Sequence, residues 1–223
     1  DGIRRSWFPF QLAFILINIR GICYKEDRDY VDLIWFPTGG GKTEAYLGLS
    51  AFTICFKRLK SPNKGGTVVF MRYTLRLLTS QQLERAIPLI MALEKIRQRE
   101  TSLLGSKKFD IGLWVGSATT PNKREDAKKT LESIKQSSYE SNDLRILNCP
   151  WCKTDLVETD IKKSINSCPG YVVDKTESGN QTVYFRCPDK KCDFYKQNLP
   201  IKVIDEDLYD DAPTFLLGTV DKF

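Results

Sequence analysis

Not one of the 223 residues is a histidine. The commonest general base is therefore missing, which argues against nucleophilic hydrolase chemistry of the serine or cysteine kind. A membrane-spanning run is missing too. Residues 1–22, DGIRRSWFPFQLAFILINIRGI, join two arginines to an apolar stretch as a signal peptide does. Gln11 and Asn18 interrupt that stretch, no small-residue cleavage site follows, and it is too short to cross a bilayer. We read it as a buried helix from about Pro9 to Ile19, in a protein with no membrane partner. The seven cysteines are an odd number. They fit reduced thiols in a cytoplasmic protein better than a disulfide framework.

Apolar residues make up 41% of the chain and charged residues 28%, as in an ordinary globular protein. The length suits one α/β domain with an insertion. The net charge of +6 is unevenly spread. Residues 1–140 carry 23 Lys/Arg against 14 Asp/Glu, or +9, and residues 141–223 carry 11 against 14, or −3. A basic first part fits nucleic-acid binding, and equally a plain solvated surface.

The chain is organised around VDLIWFPTGGGKTEAYLGL, residues 31–49. Leu33-Ile34-Trp35-Phe36 reads as a buried strand, Pro37-Thr38-Gly39-Gly40-Gly41 as a tight loop, and Lys42-Thr43 as the opening of a helix running to about Lys60. Strand, glycine loop and helix make a phosphate cradle. Backbone N–H groups and the helix dipole face a polyphosphate, the lysine reaches its β/γ-phosphates and the threonine its Mg²⁺. The strict pattern wants glycine where Phe36 stands. ATP and Mg²⁺ are the expected ligands, held by Thr38, Gly39, Gly40, Gly41, Lys42 and Thr43, the last two with catalytic roles.

Further strands are expected at residues 67–71 and 111–115. A helix from about residue 77 to Arg99 should be kinked or split by Pro88, and a charged helix runs over residues 122–135. Residues 137–142 read as a linker. Beyond it, Cys149-Pro-Trp-Cys152 and Cys187-Pro-Asp-Lys-Lys-Cys192 form two knuckles, each placing two thiolates on one turn, which together suit tetrahedral Zn²⁺. The second pair is wider than usual, and the 34 residues between the knuckles exceed the simplest pattern. Cys168 offers itself as a substitute ligand. Small strands at residues 171–173 and 183–185 suit a zinc ribbon, in which structural zinc supplies about 10 kcal/mol of folding free energy. A redox CxxC is the rival reading.

Several stretches carry a resemblance. Pro37-Thr38-Gly-Gly-Gly-Lys42-Thr43 looks like motif I of superfamily 2 helicases, and Gln11 stands where such helicases place an adenine-reading glutamine. Arg72, Thr74 and Arg76, after a strand, resemble motif Ia, which holds nucleic-acid phosphates. PTFLLGTVDKF, with Thr219 and Lys222, resembles the motif just before Walker B. Asp205-Glu206 after residues 201–204 imitates Walker B, but that order places the true acids beyond Phe223. Taken with NCPWC and LPIKVIDEDLYDD, the chain resembles the DrmA-type helicase subunit of DISARM phage-defence systems. The resemblance implies an α/β fold: a partial RecA-like P-loop region (residues 1–140), a zinc-ribbon insertion (141–200) and a return to the mostly parallel sheet (201–223). It implies a DNA translocase working with a partner defence protein, and a piece that binds nucleotide but hydrolyses it negligibly alone. The alternatives are a P-loop ATPase that is not a helicase, and a zinc-ribbon module binding nucleic acid or protein.

Overall fold

The computed structural model describes residues 6–24, 26, 31–35, 40–74, 80–116, 119–136, 144, 146–160 and 165–220. In chain order the elements are α1 (Pro9–Cys23), α2 (Lys42–Lys60), β1 (Val69–Tyr73), α3 (Ser80–Arg99), α4 (Thr101–Leu104), β2 (Ile111–Trp114), α5 (Arg124–Gln136), β3 (Glu158–Asp160), β4 (Ile165–Ser167), β5 (Tyr171–Lys175), β6 (Gln181–Phe185), β7 (Ile201–Lys202), α6 (Asp205–Asp210) and β8 (Phe215–Thr219). The architecture is α/β.

Four parallel strands form the central sheet in the order β1-β8-β2-β7. Phe215 is paired with Val69 on one side and Ile111 on the other, and Ile111 with Ile201. The strand that comes last in the chain therefore lies inside the sheet, where Phe215 and Leu217 are fully buried. Parallel neighbours require long crossovers, and here helices supply them. On α3, Leu83, Ala86, Ile87, Ile90 and Met91 recur at helical spacing and are buried. Pro88 does not split this helix, which runs unbroken over 20 residues. The carbonyl that Pro88 leaves without its amide belongs to exposed Glu84, where water can serve it.

The crossover from β2 to β7 carries α5 and the cysteine-containing segment. That segment folds as two antiparallel ladders, β3 with β4 and β5 with β6. Ala127, Leu131 and Ile134 form the buried face of α5, which packs on β4 and β6. One contiguous hydrophobic cluster runs from Ile90 and Phe215 through Leu156 and Tyr171 to Phe185 and Phe194. The cysteine segment thus shares its core with the sheet.

A buried polar knot ties α2 and α3 to the turn before β2. Arg97 pairs with Glu94 through two contacts of 2.7 Å and donates to the Gly105 carbonyl at 2.8 Å. Glu94 also accepts the Phe109 N–H at 2.9 Å. Arg58 donates to the carbonyls of Leu104 and Lys107 and lies 4.4 Å over the Phe109 ring. Gly105 has φ +74°, and a Cβ there would sit 1.9 Å from the Pro62 carbonyl, so only glycine fits this turn.

Two further expectations need correction. The apolar run at residues 31–35 is not a strand: it is irregular, with Val31 99%, Leu33 83% and Trp35 86% exposed. A strand needs a partner edge, and hydrophobic composition alone does not provide one. Phe36 lies outside the described residues, as do residues 137–142 of the expected linker. The first helix is longer than expected and largely exposed, since only one side of it packs on α2. Leu16 and Ile17 are 67% and 68% exposed, and Gln11 is its single buried residue. Among the described residues, no helix is long and apolar enough to cross a membrane.

Candidate functional site

Cys149, Cys152, Cys187 and Cys192 converge, with all four sulfur atoms within 4.8 Å of one another. Cys149 and Cys192 are 4.0 Å apart, and Cys152 and Cys187 3.4 Å. A tetrahedron with Zn–S near 2.3 Å has sulfur–sulfur edges of roughly 3.8 Å, so the donor set fits such an ion. Cys168 is not part of the cluster. It is a buried thiol whose pKa burial pushes up.

Local turns place these ligands. After each knuckle one residue takes a left-handed conformation, Lys153 at φ +68° and Lys196 at φ +57°. Lys153 donates its N–H back to the Cys149 carbonyl at 2.8 Å. The Phe194 N–H points at the Cys192 sulfur from 3.4 Å. The knuckles also grip each other, through the Trp151 indole N–H on Asp193 at 3.1 Å and the Trp151 edge on the Phe194 ring. Burial pushes the Cys187 thiol well up, and Cys192 to about 11. At Cys152 burial also raises the pKa, but hydrogen bonding to Thr154 and to the neighbouring thiols outweighs it and leaves about 7. A buried dication would supply the charge that lets all four ionise together. Thr154, two residues past Cys152, was not singled out from the sequence. Its position next to a knuckle is the signal that would have found it.

The glycine loop is described from Gly40 onward, and Thr38 and Gly39 lie outside the described residues. The helix starts at Lys42 as the sequence predicts. Gly41 is its N-cap at φ +83° and, being glycine, brings no side-chain oxygen to the first turn of the helix. Gln11 is 3% exposed, and its amide is engaged at both ends. It accepts the Phe8 N–H at 2.9 Å, and it donates to the Gly41 carbonyl at 2.8 Å. The glutamine and the loop are therefore in direct contact. Glu44, in the first turn of α2, pairs with Arg85 of α3, another tie that the sequence did not reveal.

At the carboxyl edge of the sheet, β1 and β8 bring Tyr73 opposite Thr219, which places Thr219 beside Arg72 and Thr74. Arg72 and Thr74 are exposed, whereas Thr219 is 1% exposed. Arg76 and Lys222 lie outside the described residues. Asp205 and Glu206 do not end a core strand. β7 is a two-residue edge strand, and the acids begin α6 instead. Their N–H groups bond the carbonyls of Pro121 and Asn122, Glu206 accepts the Arg124 N–H at 2.9 Å, and Arg124 grips Asp207 at 2.7 Å and Asp210 at 2.5 Å. These acids clamp the start of α5.

No protein-family model matches the chain. The chain is 38% identical over 230 aligned positions to "DISARM protein DrmA" from Bacillus paralicheniformis, an alignment that takes in 98% of this chain and 20% of that relative. The chain thus spans about a fifth of the length of the curated relative it matches. The resemblance read from the sequence to DrmA-type DISARM subunits is borne out by an alignment that runs along 98% of this chain.

Proposed function

We propose that this DrmA-type segment is the ATP-binding part of a DNA translocase acting in phage defence, braced by a structural zinc ion. Similarity along 98% of the chain to a DISARM protein carries the phage-defence part of the reading. The left-handed glycine N-cap at Gly41, the helix that starts at Lys42, and the Gln11 contact with the loop support a nucleotide site. In this reading Lys42 neutralises the β/γ-phosphates of ATP, Thr43 reaches Mg²⁺, and Thr38 with the three glycines cradles the phosphates. Gln11 orders the loop and has one amide hydrogen left for the adenine edge. Arg72, Thr74, Arg76, Thr219 and Lys222 form the DNA-facing edge, beyond the carboxyl ends of the strands as open α/β sheets favour. Zn²⁺ sits on Cys149, Cys152, Cys187 and Cys192. Residues 1–140 and 201–223 make up the RecA-like nucleotide region and residues 141–200 its zinc-ribbon insertion. The setting is cytoplasmic, with a second defence protein as partner.

The test is thermal stabilisation by Mg-ATP in wild type and Lys42→Ala. The variant should lose the shift and keep its zinc. Wild-type nucleotide affinity in Lys42→Ala would overturn the assignment. The four-cysteine cluster favours a second reading, a zinc-ribbon module that binds nucleic acid or protein. It predicts DNA binding that is insensitive both to ATP and to Lys42→Ala.

A further inference from the structure

A cavity of about 260 Å³ lies in the seam between α3, the residues leading into β2 and β7, and the cysteine segment. Its charged lining is Lys108, Arg186, Lys196 and Glu94, beside Gln98 and Asn198. Glu94 brings no spare negative charge, because Arg97 neutralises it through both oxygens. Arg186 is fixed in place by Asn198 at 2.6 Å and balanced by Asp174 at 2.5 Å. Among the described residues, neither Lys108 nor Lys196 has a carboxylate partner. Two lysines without a carboxylate partner, Lys196 with its ammonium 5.3 Å from the centre of the Tyr195 ring, and one held guanidinium therefore line a single cavity. Lys196 does so from a left-handed backbone conformation that glycine or asparagine would adopt more readily. The seam lies at the amino-terminal edge of the sheet, since Lys108 and Pro200 precede β2 and β7. It is thus one strand length, roughly 16 Å, from the edge that carries Thr74 and Thr219.

We propose that this cavity binds a phosphate group, supplied by a nucleic-acid backbone crossing the seam. Converging cations set among fixed amides are the arrangement that recognises a phosphate oxyanion. The rim position of both lysines fits a chain passing over the opening. The inference is independent of Lys42 and of nucleotide.

The test uses a short fluorescein-labelled single-stranded DNA, with anisotropy measured across a salt series. Proteins compared are wild type, Lys108→Ala/Lys196→Ala, and Lys190→Ala/Lys191→Ala as a charge-matched control outside the cavity. Circular dichroism and metal content confirm folding. Losing two phosphate contacts should lower the slope of log K against log salt by about 1.4, at about 0.7 per contact on a single strand, and the control should change it far less. An equal fall in both variants would mean a diffuse positive field and overturn the site. A parallel nuclear magnetic resonance titration with pyrophosphate separates the sources. Perturbed Lys108 and Lys196 signals without any DNA binding would uphold the phosphate chemistry and assign it to a free phosphate. Pyrophosphate binding that is lost in Lys42→Ala but kept in the cavity variant would place the phosphate at the glycine loop and overturn the proposal, as would no response in either titration. Failure here leaves the nucleotide assignment standing, since that is read by Mg-ATP and Lys42→Ala.

Discussion

Glu94 is the buried carboxylate around which the polar knot is built. It is 2% exposed and serves Arg97, the Phe109 N–H and Gln98 together, with Arg58 packed nearby. Burial and the charge of Arg97 both push the Arg58 guanidinium pKa down, so the knot holds two arginines that need Glu94 as counter-charge. Removing one partner of a buried pair costs more than the pair contributes, because the remaining charge stays buried and unpaired. Glu94→Gln should therefore destabilise the chain by about 3–5 kcal/mol, read as a lower urea midpoint. Glu94→Gln/Arg97→Met should recover part of that loss. If the double variant is no more stable than the single, the cost lies in the lost Phe109 contact and not in the stranded charge.

At the scale of elements, the junction of α1 with α2 makes a sharp prediction. Gly41 has φ +83°, and a Cβ on it would lie 2.7 Å from the Gln11 amide nitrogen. Gly41→Ala should cost about 1–2 kcal/mol from backbone strain alone and weaken the Mg-ATP thermal shift. Gly41→Ala/Gln11→Ala should relieve only the steric part. Unchanged melting and unchanged ATP response in Gly41→Ala would show that this glycine can be replaced. Local signals are also what made elements legible from sequence. The glycine loop and helical spacing gave α2 its bounds, and short apolar runs marked β2, β5 and β6. The knuckles gave the four clustered cysteines, since two thiols per turn are fixed by spacing. What the sequence could not give depends on distant partners. Leu33 and Trp35 are as apolar as a core strand, yet they lie in irregular backbone and are exposed. β8 sits inside the sheet through pairings with residues over 100 positions away. Nothing near Cys168 in the chain shows that it lies outside the cluster of the other four sulfurs.

For the whole molecule, the question is whether the cysteine segment is an appendage or part of one folding unit. Its core is continuous with that of the sheet, through Leu156, Phe185 and Phe194 on one side and Ile90, Ile201 and Phe215 on the other. Polar ties cross the same seam. Thr182 of β6 donates to Asp207 of α6 at 2.6 Å, and Lys95 of α3 to the Asp193 carbonyl at 2.6 Å. Binding free energy at a structural metal is folding free energy, on the order of 10 kcal/mol or more for zinc, which is comparable to the net stability of a domain. An appendage would lose its own order on chelation and leave the sheet intact. A shared core predicts a different outcome. When the metal is stripped, amide protection should fall in β2 and β8 together with β5 and β6, and thermal unfolding should move to lower temperature as one transition. Cys149→Ser should reproduce this without chelator. Hydrogen exchange reads the result element by element. Full protection of β8 in the stripped protein, beside an exchanging β5–β6 hairpin, would show that the sheet stands without its metal-bearing neighbour.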